Sequence, residues 1–324
     1  MEHTRRHFFQ SSGAIAAAVS AAASSLAAQQ RTRQQDPGLF KPPEPIAPMT
    51  PASALQVPKV KFGNVEISRV IVGCNPFYGW SHFNSTLDTV MREWYTQDRV
   101  CEVLRRCNHF GINAFNYLHI GRALADIECF RAEGGQMHLI VQGMGNPQPV
   151  IQALKPLAIY HHGEATDRAF QAGKMDSVHE YCKKLRQTGV LVGVGSHKPE
   201  ALAQIEEEGW DVDFYAGCVY NRTRTADELR KLLNGHLPLV PTDVYLDTDP
   251  PRMYAVLKQT KKPCFAFKIL AAGRINQPDA LEQAYKKAFE SIKPGDGIFV
   301  GMFPRIKDEV RDNAELVHRV LAPL

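Results

Sequence analysis

The chain has 324 residues, with 38 basic against 34 acidic side chains, a net charge of +4 and 44% hydrophobic residues. That apolar content suffices for a full core, and so small a charge, spread along the chain, argues against nucleic acid as a partner. Seven cysteines, none in a C-x-x-C pair, give no disulfide or zinc framework, and Cys101, Cys107 and Cys182 fall in amphipathic helical patterns as small core residues.

The N-terminus reads Thr4-Arg5-Arg6-His7-Phe8-Phe9-Gln10, followed by an Ala-rich, moderately apolar stretch from Gly13 to Ala28. A charged start with two adjacent arginines, a weak apolar core and a small-residue exit form a twin-arginine signal peptide over residues 1–28. The expectation is export in the folded state through that machinery, to the periplasm or beyond. The stretch is too weakly apolar to remain as a membrane anchor. Its removal takes away Glu2, Arg5 and Arg6 and leaves a net charge of +3. Residues 29–59 carry seven prolines from Pro37 to Pro58 and no hydrophobic period, which is the composition of an extended linker.

From residue 60 to 324, strand-like and helix-like segments alternate. Val65–Val72 is a β-branched strand closing on Gly73, and Asp98–Phe110 is a helix ending at Gly111. Short strands follow at Asn113–Tyr117 and Leu139–Gln142, then a helix at Gln148–Leu154 and a strand at Leu157–Tyr160. A helix over Ser177–Gln187 leads to a strand at Val190–Val194. A helix over Pro199–Glu208, with proline in its first turn, leads to Val212–Tyr220. Helices at Ala226–Leu233 and Pro251–Gln259 precede the strand Cys264–Ile269. The chain closes with helix Pro278–Ile292, strand Gly297–Val300 and helix Lys307–Leu321. Alternation of this kind means parallel strands with right-handed crossovers. The number of repeats and the length, near the ~250 residues usual for the fold, point to an α/β class single domain, a (β/α)8 TIM barrel; an open doubly wound sheet is the alternative.

Several segments resemble the aldo/keto reductase superfamily in order and spacing. Ile67–Gly73 resembles its first barrel strand and Gly111-Ile112-Asn113-Ala114-Phe115-Asn116 its second. Val192–His197 resembles the fifth, and Tyr220-Asn221 the end of the sixth. Lys268–Ile275 is similar to the Ser-Pro-Leu-x-x-Gly-x-Leu stretch after the seventh, and Gly301 through Asn313 to the last strand and helix. The resemblance implies a barrel that binds NADP(H) and reduces carbonyls with a Tyr, Lys, Asp and His tetrad. At the matching positions this chain has Asn116 for the Asp and Gln142 for the Lys. No tyrosine lies in His119–Arg122, and His161 or His162 keeps the His. The resemblance also implies cofactor contacts from Ser196, Asn221, Gly273 and Gly301. Arg305 and Lys307 stand at the start of the last helix, where the dipole and their charge favour a phosphate.

The catalytic face of a barrel is the C-terminal end of its strands. Five of the histidines, His82, His119, His161, His162 and His197, fall at such ends, together with Asn116, Gln142, Glu164 and Lys268. Convergence there suggests a catalytic set of His161, His162, His197, Asn116, Gln142 and Lys268. Lys268 ends an otherwise apolar strand, where it serves as an electrostatic clamp or an amine nucleophile, or else pairs with Asp247 or Asp249. Neutral imidazoles with Glu164 suggest a divalent metal held among His82, His119, His161, His162 and Glu164, although no H-x-H or H-E-x-x-H spacing occurs. Three functions follow: an exported reductase-like enzyme acting on a small carbonyl or sugar-type substrate, a metal- or histidine-dependent hydrolase, lyase or isomerase, and a small-molecule-binding barrel without catalysis.

Overall fold

A computed structural model describes residues 55–240 and 243–322. The signal segment and nearly all of the proline-rich linker lie outside the described residues. The first described stretch is already part of the barrel unit: Val57 is buried and donates its N–H to the Phe110 carbonyl at 2.9 Å.

Ten strands are described: β1 Lys59–Phe62, β2 Val65–Ser68, β3 Val70–Gly73, β4 Ala114–Leu118, β5 His138–Gly143, β6 Ala158–His161, β7 Leu191–Ser196, β8 Phe214–Cys218, β9 Cys264–Phe267 and β10 Gly297–Gly301. The helices among them are α1 Ser85–Trp94, α2 Gln97–His109, α3 Ala123–Ala132, α4 Gln148–Leu154, α5 Gly163–Gln171 and α6 Met175–Arg186. They continue with α7 Pro199–Glu207, α8 Ala226–Leu232, α9 Asp249–Gln259, α10 Pro278–Ser291 and α11 Glu309–Leu321. Strands β3 to β10 close into a parallel barrel in which β10 pairs with both β3 and β9. The expected TIM barrel is therefore present. Among the described residues, no helix is long and apolar enough to cross a membrane.

The barrel strands are short and covered on both faces, so their residues divide by parity. Ile71, Ala114, Ile140, Tyr160, Phe214 and Phe265 belong to the cluster inside the barrel. Their neighbours Val72, Phe115, Val141, Ile159, Tyr215 and Cys264 belong to the cluster beneath the helices. Gly195 leaves room for Tyr160 inside: a Cβ there would come within 2.9 Å of the tyrosine ring.

The segment read as one strand over Val65–Val72 is two. The Gly63-Asn64 turn, with Gly63 at φ +60°, folds β1 and β2 into an antiparallel hairpin, and Arg69 then redirects the chain into β3. The hairpin drives Phe62 and Ile67 into the N-terminal end of the barrel. Phe62 meets Phe214 and Phe265 edge-on, with centroids 5.2 and 5.1 Å apart. Helices α1, α3 and α5 were also not among the expected elements. Helix α1 is fixed by Asn84, which caps it by accepting from the Leu87 N–H at 2.8 Å.

Candidate active site

The mouth of the barrel, at the C-terminal ends of the strands, holds a cavity of about 400 Å³. A larger hollow of about 600 Å³ lies around Asn113, Arg131 and His138. It sits at the opposite end of β4 and β5, away from the converging polar side chains.

The inner wall of the mouth cavity is built by strand ends. Asn116 and Gln142 come from β4 and β5, and Tyr160 and Phe299 from β6 and β10. Cys74, Asn75 and His82 come from the segment after β3, and Lys268 from the end of β9. The polar groups are chained. Tyr160 donates to Asn116 Oδ1 at 3.1 Å, and Gln142 Nε2 reaches Cys74 Sγ at 3.5 Å. The Asn75 amide lies 3.0 Å from His82 Nε2, and Arg222 donates to His82 Nδ1 at 2.9 Å. Both ring nitrogens of His82 thus face N–H donors, a setting that disfavours the doubly protonated imidazolium. Burial and the nearby Lys268 hold its pKa down to about 4. Burial pushes the Cys74 thiol up to about 12.

Lys268 is the residue that departs from this pattern. It sits at φ +61°, a left-handed conformation that L side chains rarely adopt. Neither Asp247 nor Asp249 pairs with it: Asp249 instead accepts from the Asn221 N–H at 3.2 Å and from Arg224 at 2.9 Å. Among the described residues, no carboxylate lies within ion-pair distance of its amine. Burial first, and Arg222 second, lower its pKa from 10.5 to about 7. An amine in that state is half neutral at neutral pH and carries an available lone pair.

The other side of the mouth, around β6, β7 and β8, is filled. Asp167 of α5 is wholly buried and accepts from the Ser196 hydroxyl at 2.5 Å, His197 Nδ1 at 2.7 Å, Thr223 at 3.0 Å and the His197 N–H at 3.1 Å. Burial opposes a charge on His197, but Cys218 and Asp167 outweigh it and raise the imidazole from 6.5 to about 9. Arg222 binds Asp243 and lies 3.5 Å from Glu164, whose carboxyl it lowers against the effect of burial. Side-chain parity separates the two adjacent histidines. Tyr160 points inward, so His161 points outward, where its Nδ1 meets Thr166 at 2.8 Å and its ring meets Tyr181 edge-on. His162 leaves Nδ1 buried and without a partner among the described residues.

The structure therefore divides the expected catalytic set. Asn116, Gln142 and Lys268 line one cavity, joined by His82, whereas His161, His162 and His197 do not line it. The expected metal set is not assembled either. His119 is exposed and bonded to the Tyr117 hydroxyl at 3.0 Å. Among the described residues, the one trio of candidate ligand atoms close enough for an ion is Cys101, Cys129 and Glu133, outside the mouth. Sequence reasoning missed Tyr160 and Asp167 as site residues. The inward parity of β6 carried a signal for Tyr160, while Asp167 lies on a helix that was not expected.

The groove runs on from Lys268 past Gly273 and Gly301 to Lys307, Glu309, Asp312 and Asn313. This is where NADP(H) contacts were expected, and the donor set does not fit the extra phosphate. Arg305 is exposed and does not line the groove, and Lys307 is 3.8 Å from Asp312. The last helix begins at Glu309 rather than Lys307. Its N-cap is Asp308, and Glu309 and Asp312 occupy its first turn, so acidic side chains already answer the helix dipole. Burial raises both the Glu309 and Asp312 carboxyls, with Lys307 acting against it at both and Arg311 at Asp312, so acidic groups line the stretch where the phosphate was expected. Ser196 and Asn221 do not line the groove.

No family model matches the chain, and no curated protein matches it. Solved barrels do. A glycerol dehydrogenase from Gluconobacter oxydans is 12% identical over 82% of this chain and 97% of its own, with a TM-score of 0.44. An aldo/keto reductase from Brucella melitensis is 13% identical over 83% of this chain and 99% of its own, with a TM-score of 0.42. An N-acetylmannosamine-6-phosphate 2-epimerase from Clostridium perfringens is 13% identical over 78% of this chain and 93% of its own, with a TM-score of 0.38. Likeness this distant, spread over reductase and epimerase alike, carries no argument about the reaction.

Proposed function

We propose that this chain is a barrel enzyme acting on the carbonyl of a small, hydroxylated, sugar-type substrate through the amine of Lys268. The observation that carries the reading is an amine with a pKa of about 7, without a carboxylate partner among the described residues, in a cavity of about 400 Å³ at the catalytic end of the barrel. The neutral amine attacks the carbonyl carbon. A C–N bond forms, the carbonyl oxygen leaves as water, and an imine remains. The carboxamides of Asn75, Asn116 and Gln142 each offer a donor and an acceptor, which matches hydroxyl groups better than charges. Phe267, Phe299 and Trp80 give the same cavity apolar walls against which a sugar ring can lie. Reduction by a tyrosine and lysine pair has no support here, since Gln142 replaces the lysine and Tyr160 is engaged with Asn116.

Reductive trapping tests the reading. The protein is incubated with dihydroxyacetone and sodium cyanoborohydride, digested, and its lysines are mapped by mass spectrometry. A substoichiometric label scattered over surface lysines, with none at Lys268, sinks the proposal. Concentration of the label at Lys268 supports it.

Export in the folded state is part of the same proposal and rests on Arg5 and Arg6. The variant with both changed to lysine should accumulate in the cytoplasm, and normal export of that variant would refute this part.

A further inference from the structure

On the outer face of the barrel, α2 and α3 bring two cysteines together. Cys101 Sγ, Cys129 Sγ and a Glu133 carboxylate oxygen all lie within 4.8 Å of one another. Cys101 is buried and directs its sulfur at the Asp126 carbonyl, 3.7 Å away, while Cys129 is half-buried and lies 3.9 Å from Glu133. The remaining five cysteines, Cys74, Cys107, Cys182, Cys218 and Cys264, are buried. Cys129 is thus the sulfur that a reagent in solution meets first, and Cys101 stands next to it.

We infer that Cys101 and Cys129 are an oxidisable dithiol whose disulfide staples α2 to α3. The oxidant is a low-molecular-weight disulfide such as oxidised glutathione. The Cys129 thiolate attacks one of its sulfurs, releasing one thiolate and forming a mixed disulfide. Cys101 then gives its proton to solvent and attacks Cys129 Sγ, releasing the second thiol. Two protein thiols are oxidised and one small disulfide is reduced to two thiols, so the electrons balance. Burial and the adjacent Cys129 hold the Cys101 thiol up to about 12, which makes the second step the slow one. A metal is the competing occupant of this trio. Glu133 is already paired with Arg105, so the carboxylate a cation needs is taken and a guanidinium faces the site.

The bond would close a loop that contains β4 and its Asn116. Cross-links of that loop length act mainly by restricting the unfolded chain. The test uses the full chain, folded, in oxidised glutathione, then quenched with a thiol alkylator and digested with trypsin without reductant. The expected product is the peptide Val100–Arg105 linked to Ala123–Arg131. The oxidised protein should melt roughly 5–10 °C above the reduced protein. Cys129→Ser should abolish both the link and the difference, and leave trapping at Lys268 unchanged. Two alkylated thiols at these positions after prolonged oxidation would overturn the inference. Stoichiometric retention of zinc by the reduced wild type that is lost in Cys129→Ser, with no linked peptide formed, would overturn it as well and assign the trio to a metal.

Discussion

The two sides of the barrel mouth solve opposite problems with similar residues. Around β6, β7 and β8 every strong charge has a partner: Asp167 takes four donors, and Arg222 binds Asp243 and faces Glu164. Around β3, β4, β5 and β9 the wall is made of neutral amides and rings, and the one titratable cation, Lys268, faces a cavity. A saturated network fixes geometry but has nothing left to offer a ligand. A group held away from its preferred charge state is the one poised to react.

The largest expected effect falls on the open side. Lys268→Gln should remove the trapped adduct completely. The two sides should also respond to pH in opposite senses. His197 is raised from 6.5 to about 9, so its contribution to stability is fully present below about 6.5 and is lost as pH rises through 9. Lys268 is lowered from 10.5 to about 7, so its cost to stability is complete below 7 and disappears as pH rises toward 10.5. Between pH 7 and 9 the two trends oppose each other. Urea midpoints of Lys268→Gln should therefore fall more steeply with pH in that window than those of the wild type. A parallel decline in both proteins would show that the two sides do not differ in this way.

On the filled side, Asp167→Ala removes the acceptor of a buried imidazole, two hydroxyls and a backbone N–H. It should cost about 3–5 kcal/mol by urea denaturation, and a loss below about 1 kcal/mol would mean that the network is not saturated as described. Arg222→Gln joins the two sides. It withdraws the cation that, after burial, lowers Lys268, so the pH of half-maximal trapping should rise, with the adduct still formed. The smallest effect is expected at His161, which faces Tyr181 rather than the cavity. His161→Ala should cost about 1 kcal/mol of stability through the lost ring contact and leave trapping unchanged. A sharp fall in trapping would place His161 in the site after all.

These contrasts also show what the sequence could reveal. The barrel was legible because each buried parallel strand is a short β-branched or aromatic run between helical periods, as in Val190–Val194 and Cys264–Phe267. The hairpin was not, because only Arg69 separates β2 from β3, so Val65–Val72 reads as one β-branched run. Strand ends located the mouth, and Asn116, Gln142 and Lys268 follow from that rule. His161 does not, because adjacency in sequence is opposition in space at the end of a strand: it leaves the barrel at the point where Tyr160 enters it. The acidic start of α11 stood in the sequence as Asp308-Glu309 and Asp312. Only the tertiary structure shows that Arg305 stays out of the groove and that Asp308 is taken by Arg106.

The aromatic plug beneath the barrel sets a rule of traffic. With Phe62 and Ile67 packed with Phe214 and Phe265, the N-terminal end of the barrel interior is filled, and Lys268 faces the cavity at the other end. If Lys268 acts as proposed, reactant and product share that opening, because the far end is plugged. Accumulated product would then occupy the vestibule that the next molecule needs, and its inhibition would take the competitive form, relieved by excess substrate.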